Sequence, residues 1–456
     1  MDTRDEFIQA HPRVLVLGYA REGASVARYL QRLGAEVTAA DARFAASGRE
    51  PTEGTRPVVL SPERVELVRN ADVLVVSPGI PDSNPLLTQA FNQGVPVTNA
   101  TQLFFDRCPC PIVGITGTSG KSTTTSLITA MLQADGRDAR AGGNIGLPMI
   151  DLLDELTPNS VAVLELSSFQ LQRLHASPHV AVVTNLAPNH LDRHGTLQAY
   201  QAAKANILRR QGAGDIAVLG WESEHVRAMA SETAARIVWF GEDAPTPSAT
   251  AEAGWILFSD EDVERIMPVE DLRLRGRHNV QNVLAAVAAA RALHTSTSAI
   301  QSATSGFQGL PHRLQAVGEI CGVIFIDDSI ATSPDRAAVA LDAVSSPIVL
   351  IAGGRSKGLP WTPLSMNLRT KAKAVVLIGE AADEIQRWLL EDKALGELHV
   401  QRADSMPAAV RSAFGLAEPG DTVLLAPACT SYDMYSNFEE RGDAFRAAVE
   451  GMIDGD

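Results

Sequence analysis

Short apolar runs that stop at glycine-rich or polar turns, each followed by an amphipathic stretch, recur along the whole chain. This is the pattern of strands alternating with helices over a largely parallel sheet. From Arg13 it predicts a strand at 14–17, a glycine turn, a helix at 24–33 and a second strand ending at Asp41, a βαβ opening. A later apolar run, 73–76, leads into Ser77-Pro78-Gly79-Ile80. A second segment begins with a strand at 112–115, continues through Thr116-Gly117-Thr118-Ser119-Gly120-Lys121-Ser122-Thr123, and enters a helix with Leu127, Ile128, Met131 and Leu132 on one face. Strands at 161–164 and 180–184 follow, the first ending in Glu165-Leu166-Ser167-Ser168-Phe169-Gln170 and the second in Asn185 and then Asn189-His190-Leu191-Asp192-Arg193. The polar stretch 240–255 reads as a surface excursion, and Arg275 to Asn282 opens a long alanine-rich helix with Asn279 near its start. From about Leu310 a third segment predicts strands at 323–326, 348–351, 375–378 and 423–425, three of them followed by polar clusters: Asp327-Asp328-Ser329, Gly353-Gly354-Arg355-Ser356-Lys357 and Pro427-Ala428-Cys429-Thr430-Ser431.

Three such segments in 456 residues fit about three domains. The expected fold is α/β, with a Rossmann-like domain at 1–100, a central P-loop ATPase-like domain with a parallel or mixed sheet at 101–309, and a second Rossmann-like domain at 310–456. In open α/β sheets ligands sit at the carboxyl ends of strands, so the polar clusters are the candidate sites.

The segment around Lys121 carries the most specific chemistry. A glycine-rich loop at a helix N-terminus turns backbone N–H groups toward polyphosphate; Lys121 adds a point charge and the Ser122 hydroxyl can reach Mg²⁺. The spacing Gly114-x-x-Gly117-x-x-Gly120-Lys121 departs from the ordinary Walker A motif and points away from generic GTPases and kinases. Glu165 and His190, each beyond the end of a strand, are expected to converge on the phosphate loop and suit a second cation site. Leu197, Tyr200, Lys204, Ile207 and Leu208 share one predicted helical face, so a lysine stands among core positions. Either its stem snorkels to water, or Lys204 reaches the metal crevice, where its charge pairs with substrate or is chemically altered. The turn Gly18-Tyr19-Ala20-Arg21-Glu22-Gly23, with Asp41 beyond it, is an imperfect dinucleotide fingerprint that serves nucleotide binding or packing alone.

Composition narrows the classes. A formal charge of -15 argues against nucleic acid as a main partner. No apolar stretch is long enough to span a bilayer, and Met1 to Pro12 lacks a secretory core, so a cytoplasmic protein without a membrane partner is expected. Four cysteines, two of them in Cys108-Pro109-Cys110, read as reduced thiols.

The phosphate loop, Glu165-Leu166-Ser167-Ser168, Asn189-His190-Leu191-Asp192-Arg193, Lys204, Gly276-Arg277-His278-Asn279, Pro311-His312-Arg313 and Asp328-Ser329 occur in the order seen in the Mur ligases, and the resemblance covers nearly the whole chain. Gly142-Gly143-Asn144, Phe169-Gln170-Leu171, Ser431 and Asn437-Phe438-Glu439-Glu440-Arg441-Gly442 are most similar to the branch that adds glutamate. The resemblance implies ligation of D-glutamate to UDP-N-acetylmuramoyl-L-alanine, with ATP activating the carboxylate as an acyl phosphate, in cytoplasmic peptidoglycan synthesis by a monomer. It places uridine diphosphate at Arg21, Glu22, Asp41, Arg43, Ser77, Pro78, Gly79 and Ile80, and substrate at Asn144. ATP falls to Gly117, Thr118, Gly120, Lys121, Ser122 and Thr123, with Asn279, Arg313 and Asp328. Two Mg²⁺ sites fall to Ser122, Glu165, His190 and Lys204, the lysine as a CO₂-derived carbamate. The amino-acid pocket falls to Thr332, Lys357, Ser431 and Phe438. Two positions depart from the family pattern: Ile330 stands where the best-known members carry lysine, and Asn189 where an acid is common. Sister ligases of the same scaffold, an NAD-dependent oxidoreductase suggested by the first turn, and an inactive ligase-shaped subunit are the competing readings.

Overall fold

The computed structural model describes residues 3–44, 47–50, 57–145, 147–188, 191–274, 276–307, 309–344, 347–392 and 398–453. It contains three sheets, and packing groups the chain into two units: residues 1–273 with 277–307, and residues 274–276 with 308–456.

The first unit holds two sheets. In the six-stranded one the order is Gly48–Glu50, Val58–Ser61, Glu36–Ala40, Arg13–Leu17, Val73–Val76 and Val97–Thr98, parallel except for the first. The helix Arg21–Arg32 covers it, burying Val26, Ala27, Tyr29 and Leu30. The nine-stranded sheet places Ile112–Thr116 between Val180–Val183 and Ser160–Glu165, with Asp138–Gly143 at one edge. Ile112–Thr116, Ser160–Glu165 and Val180–Val183 are apolar except at their ends because both faces are covered. On one face lie the helices Lys121–Ala134 and Arg277–Ala292; the latter buries the run from Asn282 to Ala290, where small side chains permit close approach. One apolar core runs from Val14 and Tyr29 under the first sheet to Leu164, Tyr200 and Leu219 under the second, with Phe104 and Ile150 between.

Two details differ from the sequence reading. The helix bearing Lys204 is Leu197–Ala205, so Ile207 and Leu208 are buried from the turn that follows it and not from its face. The stretch 240–255 is more than a surface excursion: Ser248–Glu252 is a strand, parallel to Arg236–Phe240 and antiparallel to Trp255–Ser259. Its alternation, Ser248-Ala249-Thr250-Ala251-Glu252, is carried by small residues with little apolar contrast, and pairing on both sides decides its state.

The second unit has a six-stranded sheet ordered Gln315–Ile320, Val323–Asp327, Thr422–Leu425, Ile348–Gly353, Ala372–Ile378 and His399–Arg402, with only the first antiparallel. Arg441, 1% exposed, fastens two strand ends in it: Nε donates to Ser329 Oγ at 3.0 Å, one terminal nitrogen to Ser329 O at 2.8 Å and the other to Cys429 O at 3.1 Å. Each acceptor stranded by its removal costs about 1–3 kcal/mol, and a large void is left as well. Arg441→Ala is therefore expected to destabilise this unit by more than about 3 kcal/mol, read from urea unfolding of the full chain. A change below about 1 kcal/mol would contradict this account.

Candidate active site

Thr116 ends a strand, Gly117 to Gly120 turn, and Lys121 starts a helix, so the phosphate loop lies where the sequence placed it. Its conformation is imposed from the neighbouring strand end. Asn185 brackets Ser119, accepting from its N–H at 3.0 Å and donating to its carbonyl at 3.1 Å; Thr184 Oγ1 donates to the same carbonyl at 2.7 Å. On the helix side, Gly120 has φ +79°, and a β-carbon there would stand 2.1 Å from Asn282 Oδ1. Glycine is required by both backbone and neighbour.

Lys121 Nζ folds back on the loop, donating to Gly117 O at 3.1 Å and Thr118 O at 3.0 Å. Lys204 reaches the same turn from the other side: Nζ donates to Gly117 O at 2.8 Å and to Thr116 Oγ1 at 3.1 Å. The two amines share one carbonyl. Lys204 is 1% exposed and its Nζ lies 4.9 Å from the ring centre of Tyr200, whose hydroxyl is 3.2 Å from Thr118 Oγ1. Burial, and then the positive charge of Lys121, push the Lys204 pKa well below the ordinary lysine range, with Glu165 pulling the other way. The snorkelling alternative is excluded, because the side chain ends on Gly117 O and Thr116 Oγ1 with only 1% of the residue exposed.

Glu165, 2% exposed, ends the strand beside the phosphate loop. Asn144 donates to its Oε1 at 2.7 Å, and Oε2 is buried with no hydrogen-bond partner among the described residues. Hard oxygen donors and an unmatched carboxylate oxygen next to a polyphosphate loop fit Mg²⁺, which takes few protein ligands when phosphate supplies others. Lys121, Lys204, Glu165 and Asn144 therefore converge, with Ser122 buried at the first turn of the loop's helix. His190, with Asn189, lies outside the described residues. Nearby, His194 stacks on Phe169 with ring centres 5.0 Å apart and its Nε2 lies 3.0 Å from Ser168 Oγ. Asn279 is the third residue of the helix Arg277–Ala292, and its Oδ1 accepts from Asn282 at 3.1 Å.

Around the first turn, Asp41 takes Tyr19 N–H at 2.7 Å and Arg43 Nε at 2.8 Å; the Arg43 hydrogen bonds hold its carboxyl far below the usual range. Ser77 Oγ donates to Gly18 O at 2.7 Å, and Ile80 packs against Gly18. Arg193 reaches across to Gly79 O at 2.6 Å. Arg21, Glu22, Asp41, Arg43 and Ser77 to Ile80 are thus gathered at one end of the first sheet.

In the second unit, Asp328 Oδ1 accepts from Leu314 N–H at 3.0 Å, and burial pushes its carboxyl up to about 7. Arg313 lies close enough to lower it in part. Lys357 donates to Thr332 Oγ1 at 3.0 Å, and burial, then Arg336, lower its pKa. Ser431 is buried and Ile330 half-buried. Sequence reasoning missed what supports these positions: the buried His312–Asp327 pair at 2.7 Å and the donation of Ser329 Oγ to Phe438 O at 2.8 Å. It also gave Thr116 no role of its own, placing it at the opening of the loop, whereas the residue ends the strand and its hydroxyl accepts from Lys204.

Three family models match along the chain: the Mur ligase MurD-like N-terminal domain over residues 12–99, the Mur ligase middle domain over 115–290, and the Mur ligase glutamate ligase domain over 312–429. The UDP-N-acetylmuramoylalanine–D-glutamate ligase of Symbiobacterium thermophilum is 39% identical over 456 residues, covering 98% of this chain and 99% of that protein. The enzyme of the same name from Geobacillus kaustophilus is 41% identical over 450 residues, covering 97% and 98%. Among solved structures, the UDP-N-acetylmuramate–alanine ligase MurC of Thermotoga maritima shares the fold with a TM-score of 0.61 at 21% identity, covering 97% of this chain and all of that one. A phosphate loop flanked by a buried lysine and a buried glutamate, in a chain that matches such relatives from end to end, belongs to the Mur ligase family, in its MurD-like branch.

Proposed function

We propose that the chain joins D-glutamate to UDP-N-acetylmuramoyl-L-alanine at the expense of ATP, through an acyl phosphate, in peptidoglycan synthesis. The observation that carries this reading is the convergence of Lys121, Lys204 and Glu165 on the phosphate loop. It is supported by full-length relatives bearing that enzyme's name.

A carboxylate expels its oxygen poorly, whereas an acyl phosphate expels phosphate, so activation precedes attack by the amine. The loop N–H groups and Lys121 bind the ATP phosphates and offset charge on the transferring group. Ser122, Glu165 and Lys204 as a carbamate, together with His190, would hold Mg²⁺, which when bound would offset negative charge on the phosphates. Arg21, Glu22, Asp41, Arg43 and Ser77 to Ile80 hold the uridine diphosphate, and Asn144, tied to Glu165, faces the same substrate. Asn279, Arg313 and Asp328 keep the nucleotide assignment that the family implies. In the amino-acid pocket Lys357, seated on Thr332, supplies the cation for a carboxylate that Ile330 cannot, and Ser431 and Phe438 keep the pocket assignment that the family implies.

Phosphate release should require UDP-N-acetylmuramoyl-L-alanine and an amino acid together. Across a panel of L- and D-amino acids, D-glutamate should be used at least ~10²-fold more efficiently than L-glutamate. A preference for any other amino acid would overturn the assignment.

A further inference from the structure

Glu22 is the second residue of the helix Arg21–Arg32, immediately after the first glycine turn. Its Oε1 accepts from Gln170 Nε2 at 2.6 Å, a contact between residues 148 positions apart. Gln170 is fully buried, and its amide cannot be flipped without loss. The Oε1 of Gln170 accepts from Ser167 N–H at 2.8 Å, while Ser167 Oγ accepts from Gln170 N–H at 3.2 Å, so the two close a capping box. The amide NH₂ must therefore face Glu22, and Glu22 Oε1 must act as acceptor. Only Oε2 is left to carry a proton, and it is buried with no hydrogen-bond partner among the described residues.

We propose that Glu22 is the proton-carrying partner of the substrate's diphosphate: the site takes up one proton as the diphosphate binds, and Gln170 fixes the carboxyl that receives it. The inference rests on the reading that the Gly18–Gly23 turn holds uridine diphosphate. An ionised carboxylate offers phosphate only acceptors, and two anions in the first turn of one helix repel. Protonated at Oε2, the same group becomes a donor to a phosphate oxygen. The tight turn leaves the carboxyl little room to withdraw: a β-carbon on Gly23 would stand 1.8 Å from Gly18 O, so the helix start is packed hard against the strand end.

Among the described residues of the elements packed on this helix, Glu22 is the carboxyl without a cationic partner at the turn; beyond Gln170, Arg193 donates to Gly79 O and His194 Nε2 lies 3.0 Å from Ser168 Oγ. Burial pushes its carboxyl up to about 7, against the lowering effects of Gln170 and Arg21. Across the turn, Asp41 and Arg43 are paired with each other. From the short helix Met149–Asp154, Asp151 is taken by Ser25 and Asp154 by Arg32. Arg13 is paired with Asp72 at the far end of its strand, Glu36 begins the next strand at that same end, and the helix Ala100–Phe105 has no titratable side chain.

The test is calorimetric titration of the full-length protein with UDP-N-acetylmuramoyl-L-alanine, whose diphosphate is esterified at both ends. It is run at pH 6 and 8 in buffers of different ionisation enthalpy. The unsubstituted protein should take up close to one proton per ligand at pH 8 and little at pH 6, with affinity about tenfold lower at pH 8. Glu22→Gln keeps the acceptor for Gln170 and places an NH₂ donor at Oε2, so its affinity should be flat and its proton uptake absent. Equal pH profiles for both proteins would overturn the proposal. Hydrogen exchange at residues 18–23 separates the two layers: protection by ligand with no proton uptake sinks the proton role alone, and absence of protection sinks the turn as the diphosphate site.

Discussion

Replacing Lys204 by alanine is expected to cut turnover by about 10³-fold or more, the scale set by removing one preorganised charge from a dry active site. The side chain stands 1% exposed, and among the described residues none of its hydrogen-bond partners is a carboxylate. It also shares Gly117 O with a second amine, Lys121. Desolvation and a like charge both favour the neutral amine. A neutral amine adds CO₂, forming an N–C bond and releasing a proton, and the product is an anion where a cation stood. Under the proposed function that inversion would supply an anion for bound Mg²⁺ at this corner. Lys204→Ala should regain part of its activity with a short-chain carboxylic acid, which can occupy the vacated space, and none with bicarbonate. Lys204→Arg should stay inactive under both, since the guanidinium fills the space and forms no carbamate at neutral pH.

The same variants separate chemistry from folding. With the Lys204 pKa lowered in the folded state, the unfolded chain holds the extra proton over the interval up to the ordinary lysine range. Stability therefore rises with pH across that interval, and at neutral pH the lysine is a burden on the fold. Lys204→Met should melt no lower than the unsubstituted protein while remaining inactive. Full turnover in either the alanine or the methionine variant would remove the carbamate from the mechanism.

Lys204 was legible in the sequence because helical periodicity leaves few reasons for a lysine between Tyr200 and Ile207. The pattern overran the real element: apolar spacing continued through Leu208, while the helix ends at Ala205 and the chain buries the remaining residues from a turn. Periodicity reports burial more faithfully than it reports the hydrogen bonds that define a helix end. The strands around the phosphate loop were read to within about a residue because they are apolar on both faces and stop at glycine or polar residues. Ser248–Glu252 escaped because its identity lies in its partners. For the same reason the supports of the site were invisible. Gln170 against Glu22 and Arg441 against Ser329 join residues more than 100 positions apart, and single residues carry no trace of such pairing. In the sequence Gln170 carries only its place in the polar cluster after Glu165 and in the Phe169-Gln170-Leu171 resemblance; that its amide meets a carboxylate is seen only once the fold places Glu22 beside it.

Glu165→Gln should separate stability from activity most sharply. In the unsubstituted protein Oε1 is matched by Asn144 at 2.7 Å, and Oε2 lies in a dry strand end without a hydrogen-bond partner among the described residues. A buried unmatched oxygen costs about 1–3 kcal/mol, a cost that the Mg²⁺ of the proposed function would offset. Glutamine retains the shape and an acceptor for Asn144 while removing the negative charge, so the melting temperature should hold or rise. Turnover should fall by ~10²–10³-fold, since the group that offsets cationic charge beside the phosphates is gone. The Mg²⁺ concentration for half-maximal rate should rise as well, whereas the KM for D-glutamate, which this strand end does not hold, should move little. A variant that loses stability and activity together, with an unchanged Mg²⁺ requirement, would show that Glu165 serves the packing of its strand and not a cation.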